Sequence, residues 1–396
     1  MRTEGDMIKI RKWLLPLSWI YGLGVRFRNH LFEIGAYKSR SFMIPVISVG
    51  NITVGGSGKT PHVEYLIRLL NKNMKVAVLS RGYKRKSKGY ILADEDSTMK
   101  DIGDEPFQMK RKFDNIYVAV DKDRCHGIDM LTNNKESSDV DVILLDDAFQ
   151  HRYVKPGINI LLVDYHRLII YDKLLPAGQL REPLSGKDRA DIVIVTKCPK
   201  DLKPMEYRVL IKQLNLFPYQ ELYFTTFEYE SLKPLFPIGA EKYCQPLGHL
   251  PKDTNIMLLT GIASPKQMKQ DIRAYCPSIY SMAFGDHHFF TPKDIVHINN
   301  FFEKIPEPKI IITTEKDATR LQLTEGLSDE VKARLFTLPI HVHFMLGKEE
   351  SFNTKILSYV QKNSRNSILA KRKDDHKPTN SNHPGNRPRT ISFRNN

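Results

Sequence analysis

Between residues 41 and 220 the apolar positions of the chain fall in short unbroken runs: MIPVISV, KVAVLS, IYVAV, VILLD, INILLVD and DIVIVTK. Runs of Val, Ile and Leu without polar alternation belong to strands buried on both faces, and the spacing between them leaves room for crossover helices. The pattern predicts a doubly wound α/β core with a mostly parallel sheet. A second set, IMLLTGIA, KIIITTEKDA and FTLPIHVHF, predicts a smaller α/β lobe over residues 253–363, closed by a helix over 351–362. Between the two, residues 221–252 carry Pro234, Pro237, Pro246 and Pro251 and are expected to form a linker or hinge.

The ends of the chain read differently. WLLPLSWIYGLGV, from Trp13 to Val25, is uncharged, is flanked by Arg11, Lys12, Arg26 and Arg28, and holds both tryptophans of the protein. It is too short for the roughly 20 apolar residues that span a bilayer. No small-residue cleavage site follows, which argues against a signal peptide. Tryptophans beside cations suit a helix lying at a membrane surface, so residues 1–40 are expected to make a monotopic contact with anionic lipid. Residues 364–396 are polar, rich in Asn, Pro and Arg, and are expected to form a disordered basic tail.

Charge supports this division. Of the net +15, residues 1–40 carry +5 and residues 364–396 carry +6, which leaves +4 for everything between. A basic groove built into the fold is therefore not expected, and neither is a nucleic-acid partner, since no aromatic stacking motif accompanies the basic ends. The cysteines, Cys125, Cys198, Cys244 and Cys276, contain no C-x-x-C pair, which argues against a zinc site or a disulfide framework.

Chemistry enters at TVGGSGKT, residues 53–60. It follows a predicted strand and precedes the helix-compatible HVEYLIRLL, the placement in which backbone N–H groups and a helix N-terminus face phosphate. Thr53 stands where the usual G-x-x-x-x-G-K-S/T pattern has glycine. Thr53, Val54, Gly55, Gly56, Ser57, Gly58, Lys59 and Thr60 are thus the candidate nucleotide loop, with Lys59 for the β- and γ-phosphates and the Thr60 hydroxyl for Mg²⁺. DVILLDD ends in Asp146 and Asp147, either of which could serve the metal. VTKCPKD begins like a guanine-reading element, but Pro199 occupies the position of its aspartate, so ATP is expected.

The set VGNITVGGSGKTP, SRGY, GDEP, DDAFQHR, LPAGQLREPL and FGDHHFFT, in that order, resembles the tetraacyldisaccharide 4'-kinase family, the lipid A 4'-kinases of Gram-negative bacteria. That family also replaces the first glycine of the loop; Ala148 departs from it, since glycine is common there. The resemblance implies transfer of the ATP γ-phosphate to the 4'-hydroxyl of tetraacyldisaccharide 1-phosphate, by a monomer at the cytoplasmic face of the bacterial inner membrane. It implies Asp104 as the base and His287, rather than its neighbour His288, as the residue that orients it or relays the proton. Arg181 and Glu182 are implied at the γ-phosphate and the Mg²⁺ respectively. Arg81 and Arg124 are weaker candidates for the lipid phosphate, as are Lys84, Arg85 and Lys88 of the same basic loop as Arg81. A P-loop ATPase that switches a protein partner at the membrane is the alternative, and it leaves GDEP and GDHH without a role.

Overall fold

The computed structural model describes residues 8, 10–238, 243–262, 265–286 and 288–364. The basic tail, Ser364 excepted, lies outside these residues, as does His287. Fourteen strands are described: β1 (Val46–Gly50), β2 (Val76–Ser80), β3 (Ile91–Leu92), β4 (Ile116–Val120), β5 (Val142–Asp146), β6 (Ile158–Asp164), β7 (Ile192–Thr196), β8 (Glu221–Tyr229), β9 (Lys233–Pro234), β10 (Asn255–Thr260), β11 (Ile279–Ala283), β12 (Lys309–Thr313), β13 (Leu335–Thr337) and β14 (Ile340–Phe344). The helices are α1 (Leu15–Glu33), α2 (Lys59–Leu70), α3 (Met99–Ile102), α4 (Asp104–Lys112), α5 (Arg124–Asn133), α6 (Pro204–Leu214), α7 (Pro265–Arg273), α8 (Pro292–Glu303), α9 (Glu315–Leu321), α10 (Asp329–Arg334) and α11 (Glu349–Asn363).

The large sheet has the order β14-β8-β7-β6-β1-β5-β2-β4-β3, parallel from β8 to β4 and antiparallel at both edges. Its central strands are buried residue for residue. One face packs on α2, α4 and α11 through Val63, Ile67, Met109, Phe352 and Ile356. The other is covered by α5 and α6 through Ile128, Leu131, Tyr207 and Leu210. The smaller sheet, β11-β10-β12-β13-β9, is parallel except at β9. Its own core includes Met257, Leu259, Phe302 and Ile311.

The boundary between the lobes departs from the sequence expectation. β8, inside the stretch read as a hinge, is a strand of the large sheet, and β14 and α11, inside the stretch read as the second lobe, return to it. The reason is local. β14 alternates, with Val342 and Phe344 buried, because it is an edge strand with one face on the core, and that pattern does not say which sheet it joins.

Helix α1 extends well past the 13-residue apolar run. A narrow stripe, Ser18, Gly22 and Phe32, is buried, and Trp13 and Trp19 are 78% and 74% exposed along with Ile20, Leu23 and Phe27. Ser18 Oγ donates to the carbonyl of Leu174 at 3.0 Å and accepts from the N–H of Ala177 at 2.9 Å, and the Tyr21 hydroxyl donates to the carbonyl of Arg181 at 2.8 Å. No helix among the described residues is long and apolar enough to cross a membrane.

Candidate active site

The carboxyl ends of β1 and β5, neighbours at the middle of the large sheet, carry the two motifs expected to hold nucleotide and metal. The strand β1 runs into the loop 51–58, and α2 starts at Lys59, so the N-terminus of α2 faces the loop as a phosphate site requires. Gly58 has φ +82°, and a Cβ there would stand 2.8 Å from the ring of Phe227, so both backbone and space call for glycine.

The loop is strapped from several sides. Val54 N–H donates to the Gln179 carbonyl at 2.8 Å and Arg181 N–H to the Ile52 carbonyl at 2.8 Å, while Thr53 forms a bridge with Leu180. Thr53 is buried and its hydroxyl accepts from Asn51 Nδ2 at 3.2 Å, which gives the residue replacing glycine a structural place. The Gln150 amide donates to the Asn51 carbonyl, and Lys197 donates to the Gly56 carbonyl while pairing with Asp164 at 2.6 Å. His62 Nδ1 sits 2.8 Å from the Gly58 carbonyl and Nε2 3.0 Å from the Thr225 hydroxyl. Burial, reinforced by Lys197, lowers the pKa of this imidazole to about 4. It is therefore neutral at pH 7, with Nδ1–H donating to the loop and Nε2 accepting from Thr225.

Asp146 and Asp147 differ sharply in surroundings. Asp146 is buried at the end of β5; Ser80 Oγ donates to Oδ2 at 3.3 Å and Oδ1 has no hydrogen-bond partner. Burial first, then the carboxylates of Glu105 and Asp147, push its pKa up to about 7. Asp147 lies 3.6 Å from Lys59 Nζ and 3.4 Å from Arg181 Nη1. Burial opposes its charge, but Lys59 and Arg181 outweigh it, and its pKa is lowered. The left-handed residue of this turn is Asp147, φ 47°, so Ala148 needs no glycine conformation and its methyl is accommodated.

Glu182, on the same strap as Arg181, accepts from Arg189 at 2.7 Å through Oε2, and Oε1 is buried without a hydrogen-bond partner. No hydrogen bond joins it to Asp146 or Asp147 among the described residues. Arg124 is buried and donates to the carbonyls of Asp121 at 2.8 Å and Asp146 at 3.3 Å, tying the ends of β4 and β5 together. Arg81, just past β2, is exposed. Burial and the charge of Arg124, with smaller contributions from Arg28 and Arg81, hold the pKa of His151 near 4.

Asp104 opens α4 behind Gly103, whose φ is +89° and whose added Cβ would stand 2.8 Å from the Tyr83 carbonyl. Its carboxylate is buried and accepts from Arg320 Nη2 at 2.6 Å. Arg320 comes from α9 of the smaller lobe, where the sequence TTEKDATR carries no motif that marks it. Glu105, Gln150 and Gln179 likewise stand inside GDEP, DDAFQHR and LPAGQLREPL without being candidates by residue type alone. His288 Nε2 lies 2.9 Å from Asp294 Oδ2, and its ring stacks on Phe284, so it belongs to the start of α8.

Known proteins match this arrangement over most of their length. The profile of the tetraacyldisaccharide-1-P 4'-kinase family matches residues 10–361. The tetraacyldisaccharide 4'-kinase of Phocaeicola vulgatus is 60% identical over 365 residues, covering 92% of this chain and 99% of its own. That of Bacteroides thetaiotaomicron is 52% identical, covering 94% and 99%. Among solved structures, the "apo" form of LpxK from Aquifex aeolicus in complex with ATP is similar with a TM-score of 0.66 and 30% identity, over 88% of this chain and 99% of that one.

Proposed function

The chain belongs to the tetraacyldisaccharide-1-P 4'-kinase family, ATP-dependent enzymes of lipid A biosynthesis, and from that premise we propose how its residues divide the reaction. The γ-phosphoryl group leaves the β–γ bridging oxygen of ATP and bonds to the 4'-oxygen of tetraacyldisaccharide 1-phosphate, while the hydroxyl proton passes to a base.

Residues 53–60 hold the nucleotide phosphates through their N–H groups and the α2 N-terminus, and Lys59 and Arg181 answer the charge that spreads over the transferred group. The acid pair fits a magnesium ion: Asp146 Oδ1 is buried without a hydrogen-bond partner, and burial with the nearby carboxylates of Glu105 and Asp147 disfavours its charge, which a divalent cation would stabilise. Thr60, Asp146 and Asp147 would hold it, with Glu182 as a further carboxylate on the strap. A magnesium ion held by these residues would supply positive charge to the nucleotide phosphates. Asp104 accepts the proton of the attacking hydroxyl, and His287, which lies outside the described residues, orients it or relays the proton. Arg81 is the exposed candidate for the lipid's 1-phosphate, with Arg124 behind it.

The observation that carries this reading is the convergence of the nucleotide loop, the Asp146/Asp147 pair and Arg181: Asp147 takes charge from Lys59 on one oxygen and Arg181 on the other. The substrate's acyl chains anchor it in a bilayer at roughly 0.8 kcal/mol per buried CH₂, so the enzyme works at the membrane surface. The exposed Trp19, Ile20, Leu23 and Phe27 beside Arg26, with Trp13 just before the helix, support docking through α1 at the cytoplasmic face of the inner membrane. The test is incubation with ATP, Mg²⁺ and tetraacyldisaccharide 1-phosphate in vesicles. Phosphate is expected at the 4' position, with transfer stopped by chelation and restored by Mg²⁺. Transfer that persists in chelator would overturn the metal assignment.

A further inference from the structure

The two lobes meet where α4 lies against α9, and among the described residues three ion pairs cross there. Lys112 pairs with Glu315 at 2.5 Å and Glu105 with Lys316 at 3.3 Å, both in part-exposed settings. The third is different. Arg320 Nη2 reaches Asp104 at 2.6 Å and Arg320 Nη1 reaches Asp317 at 3.1 Å, and the three side chains are 1%, 4% and 0% exposed. The guanidinium fork therefore divides between a carboxylate of the large lobe and one of the small lobe.

Asp317 is itself fixed. Its Oδ2 accepts from Gly261 N–H, just past β10, at 2.8 Å and from the Thr314 hydroxyl at 2.8 Å. A continuous chain of bonds thus runs from the carboxyl end of β10 through Asp317 and Arg320 to Asp104. Holding the lobes together does not require this arrangement. A buried ion pair is weak net stabilisation, because desolvation offsets the attraction, and the two part-exposed pairs already join the same helices. What the buried fork adds is position. Guanidinium stays protonated and its donors are planar, so the carboxylate it grips stays ionised with its plane set.

We propose that Arg320 is a positioning residue for phosphoryl transfer: delivered by the smaller lobe, it holds Asp104 ionised and oriented to take the acceptor's proton. The proposal rests on Asp104 being the base, and the experiment separates the two. In the full chain, Arg320→Met is expected to lower kcat by about 10²-fold, the scale of a misplaced catalytic group, with KM for ATP within about twofold of the parent. Arg320→Lys keeps the charge and is expected to regain part of that loss. Combining Arg320→Met with Asp104→Asn is expected to be no slower than Asp104→Asn alone. Lys316→Gln, which breaks the neighbouring part-exposed pair, is expected to leave kcat within about twofold.

Wild-type kcat in Arg320→Met, equal losses in the Met and Lys variants, or additive losses with Asp104→Asn would overturn the proposal. Near-normal turnover in Asp104→Asn would instead take down the base assignment itself. Should Arg320→Met fail to fold, Asp317→Asn weakens the anchor behind Arg320 while leaving the guanidinium in place. It is expected to reduce kcat in the wild-type background and to have no further effect with Asp104→Asn, and an unchanged kcat overturns the proposal.

Discussion

Lys59 Nζ lies 3.6 Å from Oδ1 of Asp147, so the lysine of the nucleotide loop is paired with the acid that ends the neighbouring strand's motif. Without nucleotide, each is the other's counter-charge. Lys59→Ala removes the cation proposed for the γ-phosphate and is expected to reduce turnover roughly 10²–10³-fold at saturating ATP. It is also expected to raise the pKa of Asp147, since Lys59 is the foremost charge lowering it. Phosphate transfer assays beside circular dichroism check the first, and carboxyl titration by NMR the second.

The Asp104 carboxylate accepts from Arg320, and no hydrogen bond joins it to the nucleotide loop among the described residues, so its proposed role is separable from ATP binding. Asp104→Ala is expected to lower kcat roughly 10²–10⁴-fold, the range for a lost general base. Calorimetric titration with ATP should give an affinity close to that of the parent. Near-normal kcat would remove Asp104 as the base.

The buried imidazole of His62 gives the fold a defined acid sensitivity. Its pKa is about 4 in the folded chain and about 6.5 when exposed. Below pH 6.5 the unfolded chain takes up a proton that the folded chain refuses until about pH 4, so stability is complete above that window and falls as pH drops through it. The full effect is about 3 kcal/mol. His62→Gln should flatten the pH dependence across this window. Urea midpoints for both proteins at about pH 7 and about pH 5 measure the difference.

Helix α1 exposes Trp19 and Leu23 at a spacing of four, on one side of the helix. Trp19→Glu with Leu23→Glu is expected to release the protein from anionic vesicles while leaving the fold intact, because neither side chain is part of the core. Co-sedimentation checks this, and unchanged binding would refute docking through α1.

The large sheet was legible because its strands, buried on both faces, announce themselves as uninterrupted Val, Ile and Leu. The loop 53–60 and the acid pair could be read as candidates because each is local in sequence, and the structure sets them at the ends of neighbouring strands. The lobe boundary was not, since β14 follows β13 after only Leu338 and Pro339 yet joins the other sheet, and no local pattern encodes that exchange. Nor was Arg320, which is 216 positions from Asp104 and reads as one more charge on a short helix. The strap over the loop was invisible for the opposite reason: backbone bonds from Val54 to Gln179 and from Arg181 to Ile52 leave no mark on side-chain type.

That strap has a geometrical consequence. Ser18 and Tyr21 fasten α1 to the segment that carries Arg181, and the segment fastens directly to the nucleotide loop. These side-chain bonds and the backbone bonds of the strap thus link the exposed face of α1, proposed to meet the bilayer, to the proposed place of phosphate transfer. If α1 rests on lipid as proposed, the protein becomes a depth gauge. An acceptor whose hydroxyl stands at another height above its acyl chains would be turned away by elevation alone, before any side chain had read its sugar.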